Sequence, residues 1–71
     1  MKYLVLEIQT AADGKVATII TAKDEMNEAM SAYYMILAAA AVSSVPVHAA
    51  VLMMNNGAVF KSEVFDHRDA Q

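Results

Sequence analysis

A chain of 71 residues with no cysteine and a net charge of −3 excludes several classes of protein. At this length one domain forms, burying only about 60% of its unfolded surface, and neither disulfides nor a cysteine-rich zinc site can reinforce it. The acidic balance disfavours a DNA duplex as partner, while 58% hydrophobic residues exceed the roughly 45–50% of ordinary domains. We therefore expect one domain over residues 1–71 that gains further burial by associating with another copy.

The first predicted element is a strand over residues 2–10, where apolar residues recur with the period of two that a strand requires. One face holds Leu4, Leu6 and Ile8, and the other holds Tyr3, Val5, Glu7 and Gln9. The polar residues of the second set interrupt what would otherwise resemble the apolar core of a signal peptide. We expect a cytoplasmic protein.

A second strand follows over residues 15–21, after a turn at Asp13 and Gly14. Glycine accepts a positive φ without a Cβ clash, and an Asp-Gly pair between two apolar runs predicts a tight hairpin. The β-branched residues of the second run suit a pleated strand.

A helix is predicted to begin near Asp24, with Thr21 or Asp24 accepting bonds from the free amides of its first turn. Residues 26–42 contain many helix formers and neither glycine nor proline. The sequence Ser43, Ser44, Val45, Pro46 then ends the helix.

The last two predicted strands, over residues 47–54 and 58–65, are joined by Asn56 and Gly57 as a two-residue hairpin loop. This register pairs Met53 with Phe60 and Ala49 with Val64. Residues 66–71 are expected to form a short polar tail.

The predicted fold is α+β with the order ββαββ. A right-handed crossover through the helix gives a four-stranded antiparallel sheet of order 2-1-3-4, with one long helix packed on one face, and the sequence leaves other strand orders open. In the second hairpin the more apolar face is assigned to the core. That face carries Val47, Ala49, Val51, Met53, Phe60, Ser62 and Val64. The opposite face of the sheet is then expected to show Tyr3, Val5, Leu52, Met54, Val59 and Phe65 among charged residues.

The helix itself predicts self-association, because Ser31 and the tyrosine hydroxyls are the only polar side-chain groups between Ala29 and Val42. One sheet face cannot cover so apolar a helix, and the segment is too short to span a membrane comfortably. A homo-oligomer, at least a dimer, is the expected state. The predicted interface residues are Met26, Met30, Tyr34, Met35, Ala41, Leu52, Met54 and Phe65.

A small set of polar and aromatic side chains could contact a ligand. These candidates are Tyr34, Ser43, Ser44, His48 and Lys61. For each the simpler interpretation is favoured: a buried structural histidine at His48, interface packing at Tyr34, a helix C-terminus that disfavours anions at the two serines, and ordinary surface ion pairs at Lys61. No catalytic residue, metal site or cofactor is predicted, and we do not expect an enzyme.

The stretches MKYLVLEIQT and LAAAAVSSVPVHAAVL, with the Asp-Gly turn between them, resemble a group of very short proteins of unassigned function encoded by gut bacteria and their phages. The resemblance covers most of the chain and implies a phage origin. Phages often use compact oligomers as inhibitors of host defence, some of which hold nucleotide messengers between subunits. The chain offers few basic groups for phosphates: Lys2, Lys15, Lys23, Lys61 and Arg68.

Two functional hypotheses follow. One is a homo-oligomeric, non-enzymatic binding protein, such as a phage anti-defence inhibitor that sequesters a small nucleotide between subunits or blocks a host protein. The other is a structural or accessory protein that makes only protein–protein contacts.

Overall fold

The computed structural model describes residues 2–68 and has the predicted ββαββ order. Four antiparallel strands form one sheet of order β2-β1-β3-β4, and a single helix lies on one face of it. The elements are β1 Tyr3–Thr10, β2 Val16–Lys23, α1 Met26–Ala41, β3 Val47–Met54 and β4 Val59–Asp66. The fold class and the strand order predicted from the sequence are confirmed.

The two central strands, β1 and β3, pair along their whole length, from Tyr3 opposite Met54 to Thr10 opposite Val47. Their outer neighbours, β2 and β4, are attached to them by the two hairpins. Each edge of the sheet is therefore an eight-residue strand, and β2 extends two residues beyond its predicted end to Lys23.

The two hairpin loops have the same structure. Gly14 and Gly57 both adopt a positive φ, and no other described residue does. In each loop the glycine N–H donates to the carbonyl three residues earlier, and the side-chain oxygen of Asp13 or Asn56 accepts from the backbone N–H two residues later. This is a three-residue loop with a left-handed glycine. The two-residue loop predicted for Asn56 and Gly57 is wrong, because Asn56 keeps a negative φ.

The second hairpin contains a bulge that the first one lacks. Ala49 lies opposite Val64 as predicted, but Met53 pairs with Val59 instead of Phe60 because the register shifts between Leu52 and Met53. A bulge places one extra residue in one strand and re-aims the side chain there. The Phe60 ring lies 6.1 Å from the ring of Tyr3, which packs with the core beneath the helix.

The helix begins at Met26, and neither predicted cap operates. Glu25 is the N-cap residue and makes no capping bond through its side chain. Asp24 is instead paired with Lys2, at 2.9 Å, and Thr21 lies within β2. The ion pair lowers the pKa of the Asp24 carboxyl below its usual range.

The helix covers the face of the sheet opposite to the one predicted. Val5, Ala50 and Leu52 are buried against Ala29 and Tyr33 of the helix. Ile36 and Leu37 of the helix pack against the same cluster. The prediction failed because it assigned the more apolar face to the core, whereas the chain covers the face that carries its buried polar groups.

The C-terminal end is more ordered than a free tail. Asp66 is the last residue of β4, and the His67 N–H donates to the Pro46 carbonyl at 2.7 Å. The His67 Nε2 lies 2.9 Å from the Ala40 carbonyl oxygen, where it donates to the C-terminal end of the helix. Part of the predicted tail is therefore tied to the fold, and residues 69–71 lie outside the described residues.

Candidate functional site

A polar cluster lies beneath the helix on the covered face of the sheet. The His48 side chain is buried, and its Nε2 is 2.6 Å from Glu7 Oε2. The same carboxylate oxygen accepts a hydrogen bond from Gln9 Nε2 at 2.9 Å. The central strands position all three groups, since Gln9 lies opposite His48 and Glu7 lies two residues along the same face.

The carboxylate of this cluster is stabilised in its charged form. Burial alone would raise the pKa of Glu7, but the hydrogen bonds from Gln9 and His48 and the charge of His48 outweigh it and lower the pKa. An ionised carboxylate can only accept, so His48 Nε2 must carry the proton that it donates. In the neutral ring, Nδ1 is then a buried lone pair, without a hydrogen-bond partner among the described residues. An imidazole only 3% exposed suits a structural role.

The uncovered face of the sheet is an extended and mainly apolar surface. Strand residues alternate between faces, so every neighbour of Val5 and Leu52 in sequence points away from the helix. The paired strands place these residues in four rows: Ala22, Leu4, Met53 and Val59; Ile20, Leu6, Val51 and Ser62; Thr18, Ile8, Ala49 and Val64; Val16, Thr10, Val47 and Asp66. The face has one charged residue in the described chain, Asp66, and it lies at a corner.

The side chains of this face are left open to solvent by the chain itself. Val16 and Ile20 on β2 are each 62% exposed, and Val64 on β4 is 63% exposed. The central side chains, including Leu6 and Val51, are only half-buried by their neighbours in the sheet. A continuous apolar patch of this kind typically marks an interaction surface. The sequence contained the signal, an alternating set that is apolar at most positions, but the set was assigned to the core.

A groove of about 400 Å³ runs between the helix and the bulged part of β4. Tyr33 and Tyr34 line one wall, with ring centroids 5.4 Å apart in an edge-to-face arrangement. Phe60, Lys61 and Glu63 line the other wall. Burial raises the pKa of Tyr33, and the negative charge of Glu63 adds to that effect. The groove can therefore accept a flat ring, with one cation and one anion at its edge.

A second cavity, of about 420 Å³, lies at the C-terminal end of the helix and is lined in part by Thr10, Ser44, His67 and Arg68. The Arg68 guanidinium is held by Asp66, through Nε at 2.9 Å and a terminal nitrogen at 2.6 Å. These bonds and the Arg68 backbone N–H lower the pKa of Asp66 to about 2. The charge of Arg68 is thus already shared with a carboxylate.

The structure separates the predicted ligand residues into three places. Tyr34 and Lys61 line the groove, and Ser44 lines the cavity at the end of the helix. The Ser43 hydroxyl instead accepts a hydrogen bond from the Val45 N–H at 3.0 Å, and His48 is buried under the helix. A single pocket made by all five within one chain is not formed.

The predicted interface residues are also divided. Tyr34, Met35 and Ala41 are exposed on the helix. Met26, Met30, Met54 and Phe65 are half-buried, and Leu52 is fully buried. Leu52 is therefore part of the core of the chain and has no surface left for a partner. The residues that the sequence interpretation missed are Leu6 and Val51, at the centre of the uncovered face.

Further observations limit the chemistry of the described region. Within residues 2–68 no three histidine or acidic side chains are grouped so that they could hold a metal ion. Over the same residues, the helix lacks the length and hydropathy needed to cross a bilayer. No protein-family model, curated protein or solved structure matches the chain. The geometry of its own surfaces is therefore the basis for the function proposed below.

Proposed function

We propose that this chain is a non-enzymatic, self-associating binding protein whose copies join through their uncovered sheet faces, with the helices on the outside. One observation carries the proposal: the helix covers the face with Glu7, Gln9 and His48, and the opposite face, whose two central strands are apolar except for Thr10, has no cover among the described residues. Face-to-face packing of two such sheets gives the interdigitated core of a sandwich.

The size of the uncovered face fits a stable dimer. Four strands of eight residues span roughly 19 Å by about 26 Å, a flat area near 500 Å² before side-chain relief is added. A stable interface buries about 800 Å² of accessible surface per partner. A second copy supplies an equally large, equally apolar and self-complementary surface, so it is the occupant that we propose.

The interior of one chain also favours association. The fully buried hydrophobic residues in the described chain are few and mostly small. They are Val5, Ala29, Tyr33, Ala40, Ala50 and Leu52. A core of this size leaves a domain marginally stable. Packing a second sheet on Leu6 and Val51 would give each chain a second apolar layer.

The decisive experiment compares two acidic substitutions by light scattering across a wide range of protein concentration. Leu6→Glu places a charge at the centre of the uncovered face and is expected to convert the oligomer to a monomer. Met35→Glu, on the helix where the side chain is 70% exposed, is the matched control and is expected to leave the mass unchanged.

The result that would overturn the proposal is a folded, monomeric wild-type chain at millimolar concentration. A mass lowered by Met35→Glu and not by Leu6→Glu would move the interface to the helix. Circular dichroism of both variants separates lost association from lost folding. A monomer that co-purifies with one stoichiometric foreign polypeptide would support the accessory-protein alternative.

Binding of a small nucleotide is a second candidate, favoured by the groove that brings Tyr34 and Lys61 together. An aromatic ring can stack on a base, and an ammonium group can pair with a phosphate. Such binding would agree with the resemblance to short phage proteins and with an anti-defence role. Titration calorimetry with a panel of cyclic and linear nucleotides tests it. Heat that disappears in Tyr34→Ala and Lys61→Ala would support it, and no heat across the panel would remove it.

A further inference from the structure

The exposed edge of β2 is a second surface without a partner, and it differs from the edge of β4. From Val16 to Ala22, β2 contains no charge, proline or bulge. By contrast, β4 contains Lys61 and Glu63 together with a register shift. Charges and bulges are the usual features that stop a sheet edge from pairing with another strand. One edge of this sheet is protected and the other is open.

We propose that β2 pairs antiparallel with β2 of a second copy, so that two sheets join into one continuous sheet of eight strands. This contact is separate from the face-to-face contact of the proposed function. Along an antiparallel strand, alternate residues direct both the N–H and the C=O to the same side. Half of the backbone groups of β2 therefore point away from β1 and can bond to the second copy.

The pleat of the sheet restricts how the two strands can align. Residues opposite each other across antiparallel strands point to the same face, so an odd-numbered residue of β2 must lie opposite an odd-numbered residue of the second copy. The two-fold axis between the strands is therefore level with one residue and its equivalent, and not with the midpoint between two consecutive residues. An axis between Ile19 and Ile20 is excluded, although the sequence Ala-Thr-Ile-Ile-Thr-Ala reads the same in both directions there. It would put Ile19, on the helix side, opposite an Ile20 from the uncovered face.

Two alignments near the middle of β2 remain, with the axis at Ile19 or at Ile20, and the charged residues at the strand ends distinguish them. With the axis at Ile20, Lys15 of one copy lies opposite Glu25 of the other, and the same pair forms again at the far end. With the axis at Ile19, Lys15 lies opposite Lys23, and two like charges face each other at each end. Opposite charges across strands stabilise a pair and like charges destabilise it. Glu25 itself has an extended backbone, with φ −121° and ψ 142°, and lies in the bend two residues beyond the end of β2, so its carboxylate lies near the end of the paired strands.

The selected alignment also extends the uncovered apolar face. Ile20 of each copy would meet its equivalent at the axis, and Thr18 would lie opposite Ala22. The row of Ile20, Leu6 and Val51 then continues through the axis into the same row of the second copy. The edge axis is perpendicular to the sheet and the face axis lies between two sheets, so both contacts together give a closed tetramer when these two axes intersect.

Single cysteines test this alignment, because the natural chain has none. Residues opposite each other at the axis have Cα atoms about 5.5 Å apart, within the roughly 4.4–6.8 Å that a disulfide spans. We expect Ile20→Cys to form a disulfide-linked dimer under mild oxidation. Ile19→Cys is expected not to, because each Ile19 would lie opposite Thr21 of the other copy, and the two Ile19 residues would be displaced along the strand by two residues, about 7 Å. Val64→Cys, on the other edge and equally exposed, controls for random collision.

The outcomes separate this proposal from the face contact. Sheets that only pack face to face are about 10 Å apart, too far for an Ile20→Cys disulfide, so absence of the link would overturn the edge pairing and leave the face contact standing. A link in Ile19→Cys alone would also overturn it. In a Leu6→Glu background the Ile20→Cys link should persist, whatever happens to the face contact.

A charge exchange gives a second test that needs no cysteine. Lys15→Glu and Glu25→Lys should each weaken the edge contact several-fold by placing like charges opposite each other. The double variant should restore it. Sedimentation velocity of the four proteins measures the effect, and a double variant no better than either single variant would contradict the predicted pairing.

Discussion

The two faces of the sheet differ in a way opposite to the usual arrangement of a two-layer domain. The covered face carries Glu7, Gln9 and His48, joined by hydrogen bonds beneath the helix. The uncovered face carries Leu6, Val51 and their apolar neighbours, and no described helix or strand packs on it. The helix thus covers the more polar face of the sheet, and the more apolar face is left uncovered.

The same substitution on the two faces should have different consequences. Leu52→Ala removes a side chain that is fully buried under the helix and should lower the free energy of unfolding by about 3 kcal/mol. Leu6→Ala should cost less than about 1 kcal/mol in dilute protein, and more as the concentration rises. Denaturant unfolding at two concentrations measures both. Equal, concentration-independent losses would show that the faces do not differ as we propose.

Removing the buried imidazole should be the next largest effect. His48→Ala leaves Glu7 without one of its two hydrogen-bond donors and opens a cavity, so we expect a loss of about 2 kcal/mol. His48→Gln keeps an amide donor and should recover part of the loss. Thermal unfolding of the three proteins provides the comparison. A stability unchanged in His48→Ala would mean that the cluster contributes nothing to holding the helix on this face.

The loop that precedes the bulge should contribute less. Gly57 has a φ of +97°, with open space where a Cβ would lie. The cost of Gly57→Ala is therefore conformational, about 1 kcal/mol. Gly14→Ala, in the matching loop with φ +90°, should cost the same. Asparagine tolerates positive φ better than alanine and should be milder at either site. Urea midpoints test the equivalence of the two loops.

The smallest expected effect is the acid sensitivity of Glu7. Its pKa is lowered in the folded chain, so its stabilising contribution is complete above the ordinary value of about 4.3. That contribution is lost as the pH falls through the lower, folded pKa. Glu7→Gln should be less stable than the wild type at neutral pH, by about 1 kcal/mol, with the difference shrinking in acid. Asp66, whose pKa is about 2, titrates in both proteins and cancels. A difference independent of pH would exclude this origin.

Much of the fold could be predicted from the sequence. The period of two in residues 3–10, the Asp-Gly and Asn-Gly pairs and the proline at position 46 determined the number, order and pairing of the strands. The loop type and the bulge at Phe60 could not be predicted. A shift of the strand register by one residue changes the free energy of folding little, and whether it occurs depends on how Phe60 packs with Tyr3.

The candidate surfaces were harder to predict for a physical reason. An apolar sheet face can be buried equally well by the helix of its own chain or by a second chain. The apolar pattern of the strands therefore does not determine which face the helix covers. His48 was interpreted as a buried structural histidine, but nothing in the sequence indicated that Glu7 would be its partner. Leu6 and Val51 carried the strongest apolar signal, and that strength led to their assignment to the core.

The extra residue at Phe60 makes the two hairpins unequal, although their loops match bond for bond. If both edge strands could pair with another molecule, each copy would bind one neighbour through β2 and another through β4, and the sheet could extend without limit. The distorted, charged strand β4 leaves β2 as the edge suited to pairing with another strand. If β2 pairs with β2 of a second copy as proposed, neither molecule has a further edge of this kind, so the addition of strands ends at two copies instead of continuing as a fibre.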